Sequence, residues 1–300
     1  MNFKNISASE SVSGQALLLV LLGMAVVLTI VLSILSRSVT DIAVTSREEE
    51  ALRAFSAAEA GFERALIAQT DIPSTQLVEA SFSANVTDFA SGVTEYSYPT
   101  SLVSGESGVL WYVAHDENGN LICDSGAGLP CYTGNQMDLC WGKSGTASDQ
   151  TTTPAVEVAV YYANTPGDYS TVRVARDTAD PNTARTASNN FGSPDSGTCS
   201  VAGQTYQFHK VIRYNDLGIS GAVRQTQNGL QFARIRILYN SDTAQPFAVA
   251  MDGAIPSQGK KVESIGSSGE ATRRLEVYQT FSELPPIFDS SIFSSGDLVK

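Results

Sequence analysis

The chain has 300 residues, a formal net charge of -12, 42% hydrophobic residues and 17% charged ones. That length allows one long element plus one large domain or two small ones. So acidic a mean field repels a polyphosphate backbone, which argues against nucleic acid as a partner.

The first predicted element is an apolar helix. Ala16 to Leu35 carry no charge, and only Gly23, Thr29 and Ser33 interrupt the apolar character. At about 1.5 Å per residue this run spans roughly 30 Å, the thickness of a bilayer's hydrocarbon core. It is too long for the apolar region of a secretion signal. With only Lys4 before it, and Glu10 beside it, the positive-inside signal is weak.

The helix is expected to continue past the apolar run. No Pro and only Gly61 occur between Arg37 and Gln69. Leu52, Phe55, Glu59, Phe62 and Leu66 recur at spacings of three and four, one stripe on a helix. Leu52, Phe55, Phe62 and Leu66 are therefore the expected packing residues against a head. Ala51, Ala54, Ala57, Ala58, Ala60 and Ala65 add helix propensity and thin surfaces for close packing. Asp71 and Pro73 end the pattern. The expected elements are a transmembrane half over 15–36 and an amphipathic half over 37–69.

Residues 70–300 read as short strands separated by turns, a β-rich head. Candidate strands are 109–115, 155–163, 206–215, 230–240 and 273–281. In "LQFARIRIL" the alternation needs a one-residue slip near Ala233, which predicts a bulge. The polar stretch 164–204 reads as a long exposed loop or an inserted lobe. Within it, Arg173, Arg176 and Arg185 interleave with Asp168, Asp177 and Asp180, the pattern of a solvated loop. "PSQGK" (256–260) and "GSSGE" (266–270) read as turns. The expected fold class is α+β, a long N-terminal helix packed on an antiparallel β-rich globular head.

Cys123, Cys131, Cys140 and Cys199 are even in number and form no CxxC pair. Zinc sites usually show a tight pair at each end, so in an exported head two disulfides are the better reading. Three connectivities are open. "HDENGNLICD" places Asp116, Asn118, Asn120 and Asp124 in calcium-loop register, but Asn-Gly between apolar segments favours a plain hairpin. His115 and His209 are the only histidines, and no GxSxG, HExxH or P-loop occurs. No catalytic constellation, cofactor or resident metal is expected. Trp111 and Trp141 read as core or disulfide-packing residues. Arg273 and Arg274 point to opposite faces of a strand, which argues against an anion clamp.

"GQALLLVLLGMAVVLTIVLSILSRSVTDIAVTSREEEALRAFSAAEAGFERAL", and above all "AFSAAEAGFERAL", resembles the type IV pilin-like superfamily. The likeness is nearest to PilX-like minor pilins and the tip pseudopilin of type II secretion. It covers residues 10 to 69; "SSGEATRRLEVYQTFSELPPIF" is similar to the closing strand and tail of such heads. The resemblance implies a leader over 1–14, cut by a prepilin peptidase after Gly14, and a methylated amine on Gln15. It also implies other pilin-like subunits as partners through the helix, with membrane lipid around the helix before assembly. The head would lie outside the cytoplasm, anchored in the inner membrane and carried onto a surface filament by assembly. Two positions depart from the pattern. Gln15 replaces the usual aromatic or Met, and Leu19 replaces the glutamate found fifth after the cut. A buried carboxylate with no partner is disfavoured, so a subunit with nothing ahead of it gains by lacking one. Leu19 thus points to a tip or priming subunit. The alternatives are an anchored surface binding module that does not polymerise, adhesin-like, and an anchored extracellular enzyme.

Overall fold

A computed structural model describes residues 13–283. Residues 1–12, most of the expected leader 1–14, and residues 284–300 lie outside the described residues. The fold is α+β. Helix α1 (Ser13–Ala68) runs for 56 residues, about 84 Å at 1.5 Å per residue. It is followed by β1 (Ile72–Gln76), β2 (Ser81–Phe89), β3 (Glu95–Ser97), β4 (Ser107–Trp111), β5 (Ala114–His115) and β6 (Leu121–Ile122). Then come β7 (Gln136–Lys143), β8 (Ala155–Ala163), β9 (Val172–Ala179), α2 (Thr183–Asn189), β10 (Cys199–Val201) and β11 (Gln204–Arg213). The chain closes with α3 (Gly221–Arg224), β12 (Leu230–Leu238), β13 (Phe247–Met251), β14 (Gly259–Ser268) and β15 (Ala271–Thr280).

The chain forms two compact units. One holds the residues up to Asn85 with Glu263–Glu276; the other holds Val86–Val262 with the chain from Val277. The sheets run in the orders β1-β2-β14-β15, β10-β11-β7-β13-β3 and β4-β12-β8-β9, with β5-β6 as a separate hairpin.

In the first unit, α1 is apolar all round over its first half. Large side chains from Leu17 to Leu35 are 46–66% exposed. This half is long and apolar enough to cross a membrane. The second half buries a different face from the expected one. Leu52 is 69% exposed and Phe55 41%, while Phe62 and Leu66 are half-buried. The buried residues are Ala54, Ala57, Ala58, Gly61 and Ala65. At about 100° per residue, that face is turned from the Leu-Phe stripe by about a third of a turn. The reason is distance. On β14 the buried face is Ser264, Gly266 and Ser268, as small as the helix face opposite. A Cβ on Gly266 would lie 2.0 Å from Ala54 O and 2.4 Å from the Ala58 nitrogen. A Cβ on Gly61 would lie 2.5 Å from Ser264 Oγ and 2.8 Å from Phe82 Cδ2. Backbone meets backbone, and no leucine fits the seam. Leu52 instead lines an open groove of about 600 Å³ with Leu77 and Val78. Arg53, also at that groove, ion-pairs with Glu49 and Glu79. Glu50 accepts a hydrogen bond from the Glu270 amide at the β14–β15 turn.

In the second unit, the five-stranded sheet and the β4-β12-β8-β9 sheet share one core. Leu139 and Trp141 of β7, Val156, Val158 and Val160 of β8, Ile235 and Ile237 of β12 and Phe247 of β13 join a single buried cluster. The period of two sends Phe232, Arg234 and Arg236 to the other face of β12. β12 does slip by one residue against β8, between Leu230 and Phe232, so the irregularity falls at Gln231 rather than at Ala233. The stretch 164–204 is neither a loop nor a separate lobe. β9 pairs with β8 from Val172↔Ala163 to Ala179↔Val156. Its polar sequence follows from being an edge strand with an exposed face. β14 runs to Ser268, so the second expected turn shrinks to the Gly269–Glu270 corner, where Gly269 has φ +54°.

Candidate functional site

α1 is continuous through Gly14 and Gln15, the junction where the pilin-like reading places the cut. Leu19 stands 65% exposed one turn further on. The apolar surface of this part of the helix has no covering partner among the described residues, and it is long and apolar enough to cross a membrane. The seam of Ala54, Ala58, Gly61 and Gly266 fixes how the helix leaves its own unit. Together these two features form the candidate functional site.

The calcium-loop residues do not converge. Asp116 Oδ1 accepts from the Asn118 and Asn120 amides, each at 2.8 Å, and Oδ2 accepts from Asn120 Nδ2 at 2.9 Å. Those bonds hold the Asp116 carboxyl below its ordinary pKa. Asp124 Oδ1 accepts from the amides of Gly126 and Ala127 in the next turn. Each carboxylate caps its own turn. Ala114↔Ile122 and His115↔Leu121 close the hairpin, with Gly119 at φ +79°.

The cysteines pair as Cys123–Cys131 and Cys140–Cys199. The first staples a short surface segment. The second crosslinks β7 to β10 beside the Trp141 position, and Trp141 Nε1 donates to Pro154 O at 3.0 Å.

The two histidines have opposite surroundings. His115 stacks on Phe281 with centroids 3.8 Å apart and meets Trp111 edge-on at 4.6 Å. Burial pushes its pKa down to about 4, partly opposed by the Asp116 carboxylate. At His209 burial also pulls downward, but the hydrogen bonds to Asp138 and Ser196 O and the Asp138 and Asp195 charges leave its pKa above the ordinary value. His115 therefore resists a proton that the unfolded chain accepts near pH 6.5. Its contribution to stability is full above that pH and is lost as pH falls from 6.5 to about 4. His209 works in the other sense, losing its contribution as pH rises through its folded-state pKa. We expect His115→Phe, which keeps the ring stack, to flatten the fall in urea midpoint between pH 6.5 and 4. An unchanged pH profile in that variant would remove His115 from the account.

No protein-family model, curated protein or solved structure matches the chain. Arg173, Arg176 and Arg185 do not form a patch. Arg176 pairs with Glu157 at 2.5 Å. Arg185 is drawn inward, donating from Nη2 to Asp180 Oδ1 at 2.8 Å and from Nε to Oδ2 at 3.0 Å. Arg274 pairs with Glu263 at 2.5 Å and Glu276 at 3.3 Å. The seam glycines Gly61 and Gly266 were not among the expected packing residues. Their signal was present in the alanine spacing and in "GSSGE", which reads more readily as a turn.

Proposed function

We propose that the chain is a minor-pilin-like subunit that helps initiate a type IV pilus or related filament, at or near its tip. The observation that carries this reading is α1. Its first half needs lipid or other helices on every side, and its second half is held through a small-residue seam. A helix of that kind can exchange a bilayer for a filament core without refolding. The "AFSAAEAGFERAL" resemblance supplies the class, and Leu19 supplies the tip position, because no carboxylate seeks the amine of a subunit ahead. The partners are other pilin-like subunits, a prepilin peptidase and, before assembly, membrane lipid. In this reading the head lies outside the cytoplasm.

The test is the mass of the N-terminal fragment of the chain purified from its host's membranes. A fragment starting at methylated Gln15 is the expected result. An intact Met1 fragment sinks the pilin-like reading and leaves the anchored binding module.

A further inference from the structure

The Cys140–Cys199 crosslink sits among further ligand-type side chains. Asp138 and Cys140 are two apart on β7 and share a face. His209 on β11 is the cross-strand partner of Cys140. One carboxylate oxygen of Asp138 and both sulfurs lie within 4.8 Å of one another. Asp138 Oδ1 is 3.0 Å from His209 Nδ1. His209 Nε2 is 3.3 Å from Ser196 O.

Two sulfurs, an imidazole and a carboxylate make a zinc-type donor set. The Ser196 contact adds a second feature. A ligating histidine typically donates its other N–H to a backbone carbonyl, which fixes the ring and aims the remaining lone pair. Ser196 O stands where it can hold Nε2–H, leaving Nδ1 toward Asp138 Oδ1. Cys140 is fully buried and Cys199 8% exposed, packed with Val201, Tyr206 and Ala248. Two bare thiolates are strongly disfavoured in such surroundings, and a dication relieves that. Among the described residues the Cys123–Cys131 pair has no comparable set, and Asp124 is engaged with its own turn.

We infer that Asp138, Cys140, Cys199 and His209 form a redox-gated site for a thiophilic divalent cation, with zinc the best fit. The disulfide and the metal exclude each other. A dithiol reductant delivers two electrons and two protons to the crosslink, giving two thiols and its own cyclic disulfide. The cation then displaces both thiol protons to solvent and takes two thiolates, the carboxylate and neutral imidazole. Metal–sulfur bonds of about 2.3 Å in a tetrahedral centre need the sulfurs about 3.8 Å apart, a small opening of the crosslinked pair. Reoxidation by a disulfide-class oxidant removes two electrons and ejects the cation. This inference does not depend on the filament role.

The probe is Co²⁺, added to the full chain in detergent before and after reduction by a dithiol later removed. The expected result is one equivalent bound to the reduced chain only, with a sulfur-to-cobalt charge-transfer band that Zn²⁺ abolishes. Cys123→Ser/Cys131→Ser should keep the band, and Cys140→Ser/Cys199→Ser should lose it. Asp138→Asn should weaken binding at least tenfold without moving the near-ultraviolet spectrum of the oxidised chain. If the reduced chain loses its fold, Zn²⁺ is expected to restore the near-ultraviolet signal of Trp141. A reduced chain that binds Co²⁺ no better than Cys140→Ser/Cys199→Ser, or is not restored by Zn²⁺, overturns the proposal.

Discussion

Gly266→Ala is expected to destabilise the unit built on α1 by about 3 kcal/mol, at the upper end of what overpacking costs. The upper end applies because the atoms met are main chain. The added Cβ would meet Ala54 O at 2.0 Å, the Ala58 nitrogen at 2.4 Å and Ala58 Cα at 3.0 Å. A side chain in the way could change rotamer. A helix carbonyl and its neighbouring turn can move only with the whole helix, which also lifts Ala57, Gly61 and Ala65 from their contacts. Gly266→Val should be worse, since its branched methyls enter the same seam. Ser267→Val, one position along on the other face of β14, should stay within about 0.5 kcal/mol of the parent. Urea unfolding followed by helical circular dichroism measures all three. Equal midpoints for Gly266→Ala and Ser267→Val would mean the helix and strand are not in close contact.

That seam shows what the sequence could and could not convey. The long helix was legible because its signals are local: an uncharged run, an alanine-rich continuation, and Asp71 and Pro73 at its end. β8 was legible end to end, since β-branched and aromatic residues fill 155–163 between turns. The Asn118–Gly119 hairpin was legible for the same reason. The helix face was not. Periodicity ranks faces by hydrophobicity, and Leu52, Phe55, Phe62 and Leu66 outrank a row of alanines. The seam instead selects for thinness, a property of the partner strand more than two hundred positions away. Disulfide pairing was open for a similar reason. Cys140 meets Cys199 only because β7 and β11 are neighbours and β10 follows β11's edge. No local signal encodes that order. β9 was missed because an edge strand with an exposed face has the composition of a loop.

The clearest consequence of that miss lies just beyond β9. Arg185→Ala is expected to destabilise the second unit by about 4 kcal/mol, the range for breaking a buried ion pair from one side. Asp180 is completely buried. Its carboxylate accepts two bonds from Arg185, one from Asn189 Nδ2 at 2.8 Å and one from the Asn182 amide at 2.9 Å. The same guanidinium donates to Thr151 O and Thr153 O, each at 2.7 Å, and lies 4.1 Å over the Tyr239 ring. Removing it leaves a buried charge with only neutral donors and frees two carbonyls that tie 151–153 to α2. Asp180→Asn/Arg185→Met, which removes both charges, should cost less than the sum of the single changes, because neither partner is then stranded. Arg173→Ala, on the exposed outer part of β9, is the control and should move the urea midpoint little. A shift for Arg185→Ala no larger than for Arg173→Ala would return 164–204 to the solvated loop its composition suggests. The expected large shift would instead show that the polar residues of this stretch are there to satisfy one another inside the fold.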